Sequence, residues 1–145
     1  MVTIPLTRPF QAALVAAPDY IKARGTPLAV ADLGGHNLIG FRMLGSGALY
    51  EWELKDNGAD VSVSTKGSVI VTDSTYARDL ALAGVGIAYL YEPLVRSDLR
   101  DGRLVWLLRE CSVQEDGLFL YFPQRAQLAP KLRAFIDTSK EIGPT

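Results

Sequence analysis

Four consecutive hydrogen-bonding side chains, Thr72, Asp73, Ser74 and Thr75, stand between the β-branched run Val69, Ile70, Val71 and a stretch of helical spacing that ends at Gly84. A strand that feeds a helix amino terminus presents unpaired amides and the positive end of the helix dipole, so the junction suits an anion. The hydroxyls of Thr72, Ser74 and Thr75 can donate to a small carboxylate there. The charge of Asp73 would repel such a group, and capping the first helical amides is the more natural work for it. Earlier in the chain, Phe41 and Arg42 close a short strand ahead of a glycine-rich loop, GFRMLGSG, where a guanidinium can grip a carboxylate with two hydrogen bonds. These six residues form the candidate binding set. Each polar member also has a plainer reading, as a simple N-cap or, for Arg42, as an exposed loop arginine.

The rest of the chain is poor in reactive chemistry. His36 is the only histidine and Cys111 the only cysteine. A Ser-His-Asp arrangement needs its serine on a tight elbow, and no G-x-S-x-G sequence occurs; Gly45-Ser46-Gly47 reads as a flexible turn. One His and one Cys at unrelated positions, with carboxylates at no ligand spacing, do not compose a metal site. We therefore expect no catalytic residue, no metal and no cofactor. His36 is expected in a turn or core, Cys111 inert, and Trp52 and Trp106 packed on strands.

The elements that must position the candidate set follow from periodicity. After Ser74, the residues Ala77, Leu80, Ala81 and Gly84 share one helical face and are small enough for close packing on a sheet. An apolar strand, Ile87 to Leu90, comes next. Upstream, Phe10 to Ala17 is an apolar run, and Pro18 to Arg24 predicts a short helix with proline in its first turn and Gly25 at its end. A turn of helix is expected around Ala31 to Leu33. Period-two patterning predicts strands at Leu38 to Phe41, Leu49 to Leu54, Ala59 to Thr65 and Ser68 to Val71, separated by glycine turns that include Asp56-Asn57-Gly58. Downstream lie a helix from Glu92 to Leu99, strands at Leu104 to Leu108 and Leu118 to Phe122, and an amphipathic helix with Leu128, Leu132, Phe135 and Ile136 on one face. Strands and helices in alternation, with hairpins between them, predict an α/β fold with a mixed sheet.

Composition narrows the partners. The chain has 145 residues, 48% of them hydrophobic, which suits one domain of ordinary core size. Fifteen Lys and Arg against sixteen Asp and Glu leave a net charge of −1, and the basic residues are scattered. Nucleic-acid binding needs clustered cations, so these residues are not expected to hold DNA. The opening MVTIPLTRPF has neither the apolar core of a signal peptide nor the length of a membrane span. A lone cysteine allows no internal disulfide and agrees with a cytoplasmic location.

Six segments resemble, in order and rough spacing, the effector-binding domain of LysR-type bacterial transcriptional regulators. They are LVAAPDYIKARGTP, DLGGHNLIGFR, YEWEL with the Asp-Asn-Gly turn after it, VTDSTYARDLALAGVGIAYLYEPLV, DGRLVWLL and LFLYFPQRAQLAPKLRAFID. The resemblance implies a type II periplasmic-binding-protein-like fold, in which two α/β subdomains close over a small effector. Residues 1–9 would be a remnant of the first effector subdomain, 10–112 the second subdomain, and 113–145 the returning strand and last helix of the first. The GFRMLGSG loop resembles the family's cleft-lining loop. Tyr91 departs from the pattern, since many relatives carry proline before the acidic residue. The implied function is small-molecule effector sensing without catalysis, the effector being a small organic anion. Operator DNA would be reached only through an N-terminal helix-turn-helix absent from these residues, and the resemblance also implies a homodimer or higher self-association with no membrane partner. The alternative is a stand-alone small α/β enzyme or solute-binding protein.

Overall fold

The computed structural model of the chain describes residues 2–5, 9–65, 67–115 and 119–122. In chain order they form β1 (Val2–Pro5), β2 (Phe10–Ala16), α1 (Pro18–Arg24), a 3-10 turn (Val30–Gly35), β3 (Gly40–Phe41), β4 (Trp52–Asp56), β5 (Ala59–Val63), β6 (Ile70–Val71), α2 (Ser74–Leu82), β7 (Ala88–Tyr91), α3 (Glu92–Arg100), β8 (Val105–Leu107), a second 3-10 turn (Arg109–Cys111), β9 (Gln114–Glu115) and β10 (Phe119–Phe122). The chain divides into two compact units, Gln11–Val113 and Met1–Phe10 with Gln114–Thr145. In the second of these, β1 and β10 pair antiparallel with Val2 opposite Phe122 and Pro5 opposite Phe119. The expected amphipathic helix carrying Leu128, Leu132, Phe135 and Ile136 lies outside the described residues.

The larger unit is organised around β2, which is flanked antiparallel by β7 and β8. Its run of small and branched side chains is buried on both faces, which is why it reads as continuous apolar sequence instead of alternating. Leu14 and Ala16 join one core with Tyr20, Leu33, Trp52, Leu54 and Ile87. Ala13, Val15 and Ala17 join another with Ile39, Ala77, Ala81, Leu90 and Val95. The second core is alanine-rich where α2 meets the sheet, so the helix lies close.

Local chemistry accounts for the boundaries. α1 spans the predicted residues, starting at Pro18 and stopping at Gly25. The β4–β5 hairpin pairs Asp56 with Ala59, so only Asn57 and Gly58 form its turn, with φ of 51° and 81°. Positive φ at both positions is the geometry that an Asn-Gly pair serves. β4 begins at Trp52, later than the pattern predicts, because Arg42 and Leu49 meet in a bridge that uses the preceding residues to close the glycine loop. β3 and β6 pair in parallel, and the parallel bridge of Leu38 with Ile87 ties β3 to the strand after α2. The fold is thus mixed α/β. Among the described residues no helix is long and apolar enough to cross a membrane.

Candidate functional site

α2 begins where β6 ends, and its first turn is capped by Asp73, whose carboxylate accepts the Thr75 amide at 2.6 Å. That is the capping work its charge predicts. The helix is also held from the side. On α2, Arg78 donates to the Asp98 carboxylate of α3 from Nε at 2.7 Å and Nη2 at 3.0 Å, while Arg103 donates to the same group from Nε at 3.1 Å and Nη2 at 3.0 Å. Asp98 is fully buried. Burial pushes its carboxyl up, but the hydrogen bonds and charges of the two guanidinium groups outweigh that, and the net effect holds it below its usual range. The forked Arg78–Asp98 pair ties α2 to α3, and Arg103 ties the turn after α3 to the same carboxylate.

A cavity of about 220 Å³ opens against the start of this pinned helix. Ser74 and Ala77 form its α2 side, Ile39, Phe41 and Met43 come from β3 and its flanks, and Tyr50 and Trp52 lead into and begin β4. Tyr89, Leu90 and Tyr91 of β7 complete the wall, so every lining side chain is uncharged. The aromatic groups are ordered among themselves. Trp52 stacks on Tyr89 with ring centroids 5.7 Å apart and planes at 17°, and Tyr50 tilts against Tyr89 at 5.8 Å. The Tyr89 hydroxyl donates to the Glu53 carbonyl at 3.1 Å.

Of the six candidate residues, the structure brings Phe41 and Ser74 to one cavity. Thr72, Asp73 and Thr75 sit beside it at the helix start without lining it. Arg42 goes elsewhere. Its Nη1 donates to the Gly47 carbonyl at 2.6 Å, bracing the glycine loop, and it does not line the cavity that Phe41 lines. Its backbone amide bonds Val71, which sets the end of β3 beside the end of β6.

The tyrosines and tryptophan of the wall were not in the candidate set. Their signal is the period-two spacing of Tyr50 with Trp52 and of Tyr89 with Tyr91, which places each pair on one face of an extended segment. Trp52 is core, as expected, and cavity wall at once. His36 closes the first 3-10 turn, and the Tyr20 hydroxyl lies 2.8 Å from its Nδ1. Cys111 is buried, and burial, followed by the charges of Glu110 and Asp56, pushes its thiol up. Trp106 carries the Arg109 guanidinium 4.3 Å from its ring centre and lies away from the cavity. No group of three His, Cys, Asp or Glu gathers as a metal-ligand set among the described residues.

The fold and this cavity define a mixed α/β domain with a small-molecule-sized hollow at a helix start. The LysR substrate binding domain family model matches residues 1–143, and the chain belongs to that family. It is 35% identical over 144 residues to a Pseudomonas aeruginosa protein described as a transcriptional regulator, covering 99% of this chain and 47% of the relative. It is 39% identical over 118 residues to YagP of Escherichia coli K12, described as containing a LysR family substrate binding domain, covering 81% of this chain and 87% of that protein. Among solved structures, the regulatory domain of CrgA, a LysR-type transcriptional regulator from Neisseria meningitidis, is similar with a TM-score of 0.80 and 27% identity, over 97% of this chain and 68% of that one. Apart from YagP, the chain spans less than half the length of the curated relatives it matches.

Proposed function

We propose that this chain is the effector-sensing part of a LysR-type transcriptional regulator, and that its effector is a small organic molecule held at the start of α2. The observation that carries the reading is the convergence of Ser74 and Phe41 on one cavity beside a capped helix terminus. The first-turn amides other than that of Thr75 and the Ser74 hydroxyl supply donors, the aromatic wall supplies apolar contact, and no side chain of the cavity offers a nucleophile–base pair for catalysis. In the regulator, the effector would act by binding one arrangement of the domain more tightly than another, since equal affinity for two states shifts neither. Operator DNA would be contacted by a helix-turn-helix outside these residues, self-association would couple the sensing domains of two copies, and the location would be the cytoplasm.

The direct test is calorimetric titration with small carboxylates of the chain and of its Thr72→Ala/Ser74→Ala double variant. Binding by the parent and its loss in the variant is the expected result. Equal binding by both places the site elsewhere.

A further inference from the structure

We infer that the ligand of this cavity is aromatic: a single planar ring bearing one short polar or carboxylate end, and neither a compact aliphatic acid nor a polyanion. The inference rests on the reading that the cavity at α2 is the effector site and extends it to the ligand's chemical class. Three observations carry it, beginning with size. A closed apolar cavity of about 150 Å³ suffices for benzene. At about 220 Å³, this one, which is partly open to solvent, has room for a ring with a small substituent.

The second observation is the wall. Trp52, Tyr89 and Tyr50 form a run of contacting rings, and the hydrogen bond from Tyr89 to the Glu53 carbonyl fixes the middle one. Trp52 is fully buried, so the half-buried rings of Tyr89 and Tyr50, held in position against it, are the shelf for a flat ligand, because offset or tilted ring pairs gain energy beyond the area they bury. An aliphatic ligand of equal volume would bury similar surface without that gain.

The third observation is charge. Every side chain lining the cavity is uncharged, and Arg42, the cation nearest in sequence to Phe41, is engaged with the Gly47 carbonyl. Drawing several negative charges into such a space leaves them without counter-charges, at high cost. One polar group at the Ser74 end can meet the serine hydroxyl and the first-turn amides other than that of Thr75, which Asp73 already caps; the Asp73 carboxylate beside them is a further reason that no more than one negative charge is admitted.

The test uses the Trp106→Phe chain, which leaves Trp52 as the sole tryptophan. Its emission is followed on titration with benzoate, cyclohexanecarboxylate and acetate. Benzoate is expected to change Trp52 emission saturably and to bind about three- to tenfold more tightly than cyclohexanecarboxylate, with acetate weaker still. Tyr50→Leu in the same background is expected to remove most of the preference for benzoate over cyclohexanecarboxylate. If an aliphatic acid perturbs Trp52 as strongly as benzoate does, or if Tyr50→Leu leaves the preference intact, the aromatic class is wrong while the site stands. If none of the three reaches Trp52 at millimolar concentration in a chain that circular dichroism shows folded, the effector-site reading fails with it.

Discussion

Asp98 shows how a single residue can matter to the site without touching it. It is fully buried on α3, takes four hydrogen bonds from Arg78 and Arg103, and fixes α2 through the first of these. Replacing it with asparagine removes the counter-charge of two guanidinium groups and turns one acceptor oxygen into a donor facing them. Both stay in contact with water, so we expect Asp98→Asn to cost about 3 kcal/mol, the low end for a broken buried pair. Urea denaturation at neutral pH measures it. The pH dependence has a definite sign. The folded-state carboxyl is held below its ordinary value, so its stabilisation is complete above the unfolded pKa of about 4 and is lost as pH falls through the folded value. The parent chain should therefore lose more stability than Asp98→Asn between pH 7 and the acid range, and equal losses would contradict this. Asp98 was not legible in the sequence, where an aspartate within a short helix looks like one more solvated charge. Its meaning comes from arginines on other segments. Asp73 was legible, because its partner is the amide of Thr75, two residues away.

Elements built from local chemistry were easier to read than those set by distant pairing. α1 lies between its proline and its glycine, α2 begins after the Asp73 cap and stops at Ala83 before Gly84 at φ +82°, and the Asn57-Gly58 turn sits at its hairpin tip. The start of β4 depends instead on the bridge of Arg42 with Leu49, and the splitting of Phe41 from Arg42 depends on the Gly47 carbonyl that takes the guanidinium. Period-two patterning shows that two faces exist without saying what each will meet. Asn37 was missed for the same reason. Its side-chain amide donates to the Val85 carbonyl at 2.8 Å and to Ser68 Oγ at 3.2 Å, and its side-chain oxygen accepts the Ser68 amide at 3.0 Å. It thereby joins the segment entering β3 to the connections before β6 and β7. Asn37→Ala is expected to cost about 1–2 kcal/mol in urea unfolding, since at least one part-buried carbonyl loses its donor. It should also weaken effector binding, because β3 and β7, which the clamp holds side by side, both contribute to the cavity wall. Unchanged stability would show that these connections hold without the clamp.

At the scale of the molecule, the described residues of the unit formed by the two chain ends include a two-stranded ribbon, β1 and β10, with four residues each. Such a ribbon is marginal in water and its outer edges invite further pairing. The sequence reading treats residues 113–145 as the returning strand and last helix of a subdomain; the structure gives that strand a partner at the other chain end, in β1. We still expect self-association, as a homodimer or a larger species, because among the described residues the ribbon's outer edges have no paired strand. Sedimentation at several concentrations tests this, and a monomer in which the β10 amides resist hydrogen exchange would contradict it. The central claim, that a small molecule is sensed at the start of α2, has its most direct test in the amide resonances of the isotope-labelled chain on addition of benzoate. The account predicts that Phe41, Ser74, Ala77 and Leu90 shift together along one saturating curve, while Arg100 and Arg109, which line a separate groove between α3 and β8, stay in place. Shifts centred on Arg100 and Arg109, or none at Ser74, would contradict it.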